Sequence, residues 1–217
     1  MFEHVGLTID DIPTINKNGQ RFYKVDNDRI YPSITTILGS IEKPGLIDWR
    51  NSLGDKAADK EMKRAADRGT AVHSMIELML DNHDDPTHGH KIEHITEFKS
   101  LRTYLKKINK IITQEAALYS DTMQVAGRVD CIAEYKGKLA IIDFKTSTNS
   151  KDKKIITDYF LQTTAYALMF DELYNIQIND IVIIMSVEKD VPLIFTGIVD
   201  DYIEPLLKRI NTFYNKK

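Results

Sequence analysis

The chain has 217 residues, 42% hydrophobic and 28% charged, with a formal net charge of −3; this suits one globular domain with a sizeable core. No apolar run approaches the roughly 18 residues of a membrane helix, and the single cysteine, Cys131, excludes an internal disulfide framework and a four-cysteine zinc or iron–sulfur site. The acidic balance argues against a protein that coats long duplex DNA by counterion release, so any nucleic-acid contact is expected in a local groove.

MFEHVGLTIDDIPTIN carries acidic residues and no arginine, so it reads as neither secretory signal nor transit peptide, and a cytoplasmic setting is expected. Residues 20–31 (QRFYKVDNDRIY) predict a hairpin around Asn27-Asp28. Ser33 is placed to cap a following helix. Residues 44–53 predict a second short helix. Residues 54–82 predict a longer one, with Gly69 as a break or a point of close approach. HDDPTHGH at 83–90 reads as a loop; its histidines and aspartates have metal-binding composition, but Pro86 and Gly89 suit a solvated turn. Residues 91–109 predict an amphipathic helix with Ile95, Phe98, Leu101, Leu105 and Ile108 along one face.

The pattern changes near residue 111. IITQEAALYS, MQVAGRVDCIAEY and KLAIIDFKTS predict strands, with a tight turn at Tyr135–Lys138. A helix is expected over 155–174, strands over 180–188 and 193–199, and a closing helix over 201–215. The order implies one α/β domain over 1–217: an N-terminal hairpin and helical lobe (1–110), then a sheet core (111–217) in which helices flank a mixed sheet.

The chemistry concentrates in GRVD (127–130) and IIDFKT (141–146). Asp143 and Lys145 lie two apart on a predicted strand, hence on one face. They follow the apolar run Leu139–Ile142, so the strand is expected to be buried, where charges are costly unless neutralised. Asp130, across the hairpin, can lie beside Asp143. Two close carboxylates repel, and a divalent cation resolves the repulsion. Oxygen ligands favour Mg²⁺ or Mn²⁺, and Lys145 is placed to orient or deprotonate a water or to stabilise a phosphate. His73 and Glu77, i,i+4 on one helix face, offer a further ligand or base. Gln162 and Tyr166 repeat that spacing on the helix after the strand.

Gly127–Asp130, Asp143-Phe144-Lys145 and Gln162-x-x-x-Tyr166 resemble the PD-(D/E)XK nuclease superfamily, RecB-like branch; Gly69-x-x-x-His73 with Glu77 resembles that branch's helical motif. YPSITTIL (31–38), DCIAEYKGKLAIIDFKTS (130–147) and LQTTAY (161–166) are similar to the mitochondrial genome maintenance exonuclease family and its phage and bacterial relatives. The resemblance implies a PD-(D/E)XK core. Asp130, Asp143, the carbonyl of Phe144 and His73 would hold Mg²⁺ or Mn²⁺, and Glu77 would support His73 or a second metal. Lys145 would position the attacking water, while Gln162 and Tyr166 would hold the site or contact a phosphate. The implied reaction is in-line phosphodiester hydrolysis on single-stranded DNA with a free end, in replication, recombination or repair. The N-terminus differs from an organelle-targeted relative and suits a phage or bacterial setting.

Lys56, Lys60, Arg64 and Arg68 recur at i+4 steps towards His73, either as a phosphate track or as a solvated face paired with Asp59, Glu61 and Asp67. Lys151, Lys153 and Lys154 follow the Asp143 strand on a polar loop. Trp49 and the tyrosines offer stacking faces or core packing. No membrane, nucleotide cofactor or iron–sulfur partner is expected, and no G-x-x-x-x-G-K-[ST] loop of a motor is present. A duplex end-resecting exonuclease and a non-catalytic DNA-binding recombination partner are the alternative readings.

Overall fold

The computed structural model describes residues 1–41, 44–153 and 156–215. Lys154, one of the loop lysines, and the expected helix start at 155 lie outside the described residues. Strands β1 (Thr14–Lys17), β2 (Gln20–Lys24) and β3 (Ile30–Pro32) form a small antiparallel sheet in that order. The β2–β3 reversal is the predicted hairpin; the Asp26 carboxylate accepts the backbone N–H groups of Asp28 and Arg29. The strand β1 is too short and polar to signal itself by alternation. Its turn is readable in retrospect, since Asn18 and Gly19 both take positive φ (53° and 76°), the hairpin-turn conformation these residues favour. Ser33 caps helix α1 (Ile34–Gly39) as predicted, its hydroxyl accepting Thr36 N–H at 3.0 Å.

Helices α2 (Pro44–Leu53), α3 (Asp55–Leu80) and α4 (Ile92–Leu105) follow. The break expected at Gly69 does not occur: α3 runs unbroken through it. One interior glycine costs only about 1 kcal/mol, and the buried Val72, Met75, Ile76 and Leu80 anchor the following turns. A Cβ at Gly69 would lie 3.5 Å from Thr146 Oγ1, an ordinary contact, so no close approach demands glycine there. Ile108, assigned from sequence to the helical stripe, instead opens a strand and pairs with Tyr135. It is buried like Phe98, Leu101 and Leu105, so its apolarity fitted either element.

The main sheet contains β4 (Ile108–Ser120), β5 (Val125–Tyr135), β6 (Lys138–Ser147), β7 (Asp180–Val187) and β8 (Leu193–Ile198), in the order β4-β5-β6-β7-β8. Pairing is antiparallel except for β6–β7. That parallel pair needs a crossover, which helix α5 (Thr157–Tyr174) supplies; α6 (Asp200–Asn215) closes the chain. The sheet is covered on both faces. One layer joins α1, α5 and α6 to Val129, Ile141, Ile181 and Ile183; the other joins α3 and α4 to Cys131, Ile142, Phe144 and Ile184. This is the mixed α/β architecture expected from the element order.

Side-chain alternation places the chemistry. On β6, Ile142 and Phe144 pack towards α3 and α4, so Asp143 between them points towards α5. On β5 the alternation breaks at Asp130: Val129 packs with the α5 layer, Cys131 with the α3–α4 layer and Ile132 with the α5 layer again.

Gly127 of β5 lies beneath Tyr166 of α5, where a Cβ would stand 2.6 Å from the ring. Tyr166 is buried, so its ring has little room to move aside. Gly127→Ala is therefore expected to cost about 1–3 kcal/mol through overpacking, read as a lower melting temperature. An unchanged melt would show that the ring yields.

Candidate metal centre

A cleft of about 500 Å³ opens between α3, the small sheet and the start of β5; its lining includes His73, Glu77, Glu115, Asp130, Gln162 and Tyr166. Asp130 sits where the β5–β6 ladder ends at Cys131–Ile142, and its Oδ2 accepts Phe144 N–H at 2.8 Å. That bond ties the peptide of Phe144 to the carboxylate beside it. His73 reaches in from α3, Nδ1 3.8 Å from Asp130 Oδ2, with its ring edge-on to Phe144. Glu77, one turn on, is exposed along the cleft.

Asp143 and Lys145 form the predicted pair: Lys145 Nζ stands 2.5 Å from Asp143 Oδ2, with side chains 19% and 1% exposed. Gln162 donates from Nε2 to Asp143 Oδ1 at 3.2 Å and to the Tyr166 hydroxyl at 3.1 Å. Both Asp143 oxygens are thus held from within. Burial drives the Asp143 carboxyl up from its ordinary range; Lys145 pulls it back only in part, and Asp130 adds to the rise. Burial opposes the Lys145 charge, but Asp143 and then Asp130 outweigh it and hold the ammonium above its usual value. Burial also pushes the Tyr166 phenol far up, with Asp130 and Asp143 adding to it, so it stays protonated.

Sequence reasoning missed Glu115. It lies on β4 with φ 46°, between the paired Gln114↔Cys131 and Ala116↔Val129, opposite Asp130. One ligand atom from each of His73, Glu115 and Asp130 lies within 4.8 Å of the others. The strand run IITQEAALYS gave no motif to mark it; the available signal was a lone acidic residue facing the Asp130 strand. Burial, then Asp130 and Glu77, push its carboxyl up to about 7. Between pH ~4.5 and ~7 the folded chain therefore keeps a proton that the unfolded chain has lost, and this contribution to stability falls as pH rises. Thermal melts of metal-free protein in chelator should show Glu115→Gln flattening that decline. Parallel profiles for both proteins would contradict it.

The basic stripe divides. Lys56 and Lys60 are exposed. Arg64 pairs with Glu61 and Glu188 at 2.7 and 2.9 Å. Arg68 is 3% exposed and pairs with Glu188 at 2.7 Å, so it faces the β7–β8 turn rather than open solvent. Lys151 is half-buried after β6, and Lys153 donates to Thr196 C=O at 3.1 Å. Trp49 is half-buried on α2, beside exposed Leu46 and Ile47. Cys131 is fully buried, and burial pushes its thiol up, which suits packing rather than reactivity. Among the described residues, the 83–90 loop brings no three ligand atoms together, and no helix is long and apolar enough to cross a membrane.

The donor chemistry fits a divalent cation: one imidazole and two carboxylates converge beside a buried third carboxylate. The chain is similar to mitochondrial genome maintenance exonuclease 1 of Mus musculus (28% identical, 74% of this chain and 51% of the relative). The Xenopus tropicalis relative is 30% identical over 74% and 50%, and the Homo sapiens relative 27% over 75% and 51%. The chain thus spans about half the length of these curated relatives. A solved structure of an exonuclease candidate from Eubacterium rectale has a TM-score of 0.49 at 15% identity, over 70% of this chain and 65% of that one. The PD-(D/E)XK nuclease superfamily model matches residues 90–181, which hold Glu115, Asp130, Asp143, Lys145, Gln162 and Tyr166. That match, these relatives and the five-stranded mixed sheet between helices make the chain similar to the PD-(D/E)XK nuclease superfamily.

Proposed function

We propose that this chain is a divalent-metal-dependent deoxyribonuclease that hydrolyses phosphodiester bonds from a free end of single-stranded DNA. The observation that carries the reading is the Lys145–Asp143 pair buried beside a cleft in which His73, Glu115 and Asp130 converge. A bound Mg²⁺ or Mn²⁺ would supply Lewis-acid stabilisation of the phosphate and make water acidic enough to attack near neutral pH. His73, Asp130, Asp143 and the carbonyl of Phe144 would hold it, with Glu77 supporting from the same helix face as His73.

Lys145 orients the attacking water or meets the developing charge on the scissile phosphate. Gln162 fixes the Asp143 carboxylate, and the protonated Tyr166 hydroxyl receives a bond from the same amide, so α5 sets the geometry of β6. The exposed Lys56 and Lys60 on α3 supply phosphate contacts on the way to His73, with Lys151 near the cut. The half-buried Trp49 offers a stacking face. The name of the curated relatives supports end-directed action in genome maintenance.

The test offers linear single strands, closed single-stranded circles and blunt duplex, all labelled, with Mg²⁺ or Mn²⁺. Loss of linear single strands with circles spared is the expected result. Equal or faster loss of duplex replaces this reading with end resection of duplex DNA. No cleavage of any substrate with either cation replaces it with a DNA-binding partner that lacks catalysis.

A further inference from the structure

We propose that Glu115 is a ligand of the divalent cation in this cleft, a carboxylate arm from β4 that completes a mixed set with His73 and Asp130. The inference rests on the metal-centre reading above and adds a residue that none of the PD-(D/E)XK-like motifs contains.

Three observations support it. Along β4–β5 the register pairs Gln114 with Cys131 and Ala116 with Val129, and Glu115 faces Asp130 in the gap between them. Its positive φ takes the backbone out of the extended conformation there; such local departures re-aim a side chain, and this carboxylate lines the cleft with Glu77 and Asp130. Two of the nearby cations are engaged elsewhere. Arg128 pairs with the Asp11 carboxylate and donates to the backbone carbonyl of Glu115, not to its carboxylate. Lys145 is held by Asp143. Glu77, Glu115 and Asp130 therefore gather negative charge in a half-enclosed space, with an imidazole within ligand distance of two of them. That set suits a hard divalent cation able to accept one nitrogen, of which Mn²⁺ is the practical probe.

The test titrates Mn²⁺ into metal-free protein without DNA, following free Mn²⁺ by its paramagnetic resonance signal and heat by calorimetry. The proteins are the parent, Glu115→Gln, Asp130→Asn and, as a control outside the cleft, Glu134→Gln. Glu115→Gln and Asp130→Asn should each raise Kd by tenfold or more, while Glu134→Gln binds like the parent. Melting curves in chelator check folding. If Glu115→Gln melts below the parent, Glu115→Asp, which keeps the charge on a shorter arm, should bind between the parent and Glu115→Gln. Weakened binding in Asp130→Asn with parental binding in Glu115→Gln overturns this inference alone. A parent that binds no Mn²⁺ overturns the metal-centre reading and this inference with it.

Discussion

Lys145→Ala is expected to abolish cleavage while leaving DNA binding largely intact. Loss of one positioned electrostatic group typically lowers turnover by about 10²–10³-fold, and Lys145 pairs with Asp143 and is held charged by Asp143 and Asp130. The contacts proposed for the strand, at Lys56 and Lys60, are untouched, so affinity measured in chelator should change little. The substitution also strips the partner from a carboxylate whose side chain is 1% exposed. Breaking a buried pair from one side costs roughly 3–5 kcal/mol when the remaining charge stays ionised. Gln162 still donates to Asp143, and proton uptake offers relief. Without Lys145 the folded-state value of Asp143 rises further above its unfolded one. The folded chain then holds a proton the unfolded chain has released, so stability falls as pH climbs past the ordinary carboxylate range. The melting deficit of Lys145→Ala against the parent should therefore be larger at pH 8 than at pH 5. Parental cleavage by this variant would remove Lys145 from the site; a deficit independent of pH would remove the buried-pair account.

Arg68→Ala is expected to be the most destabilising change in the helical stripe, and for a reason unrelated to DNA. Its guanidinium, 4% exposed, holds Glu188 at 2.7 Å and approaches Thr148 at 3.4 Å; Nε stands 3.8 Å from Glu97. Glu97 in turn accepts the Ser186 hydroxyl at 2.5 Å. The network ties α3 to α4 and to the end of β7, and so fixes the helix that carries His73. Removing the cation leaves Glu97 buried without it, at a cost of roughly 3–5 kcal/mol, or on the order of 10 °C in melting temperature for a chain of this size. Below the melt, the salt dependence of DNA binding should be unchanged. Lys56→Ala and Lys60→Ala should do the reverse: no shift in melting, and a salt slope shallower by about 0.7 each on single strands. A reduced slope in Arg68→Ala with parental stability would restore it to the phosphate track.

Much of this was legible because the signals were local. Period two put Asp143 and Lys145 on one face, and the apolar run before them announced burial. Tyr135–Lys138 carried its turn in Lys136 and Gly137, both at positive φ. Ser33 capped where its side chain allowed. The failures have physical causes of the same clarity. A helix tolerates one glycine when its neighbours are buried, so Gly69 did not break α3. An isoleucine at a helix–strand junction is apolar for either neighbour, so Ile108 was assigned to the wrong one. Arg68 looked like its exposed predecessors at i+4 because the sequence does not show Glu97 and Glu188, 29 and 120 residues on, closing over it. Glu115 was invisible because its role depends on backbone conformation at one position and on a partner across the sheet.

The central claim is that the cleft at His73, Glu115 and Asp130, backed by Asp143 and Lys145, is a metal-dependent hydrolytic centre. The most direct measurement follows release of labelled nucleotides from a linear single-stranded oligonucleotide, by the parent and by Asp130→Asn, with Mn²⁺ and then with excess chelator. The account predicts cleavage by the parent that stops on chelation, and none by Asp130→Asn. Cleavage that persists in chelator, or at the parental rate in Asp130→Asn, would contradict it.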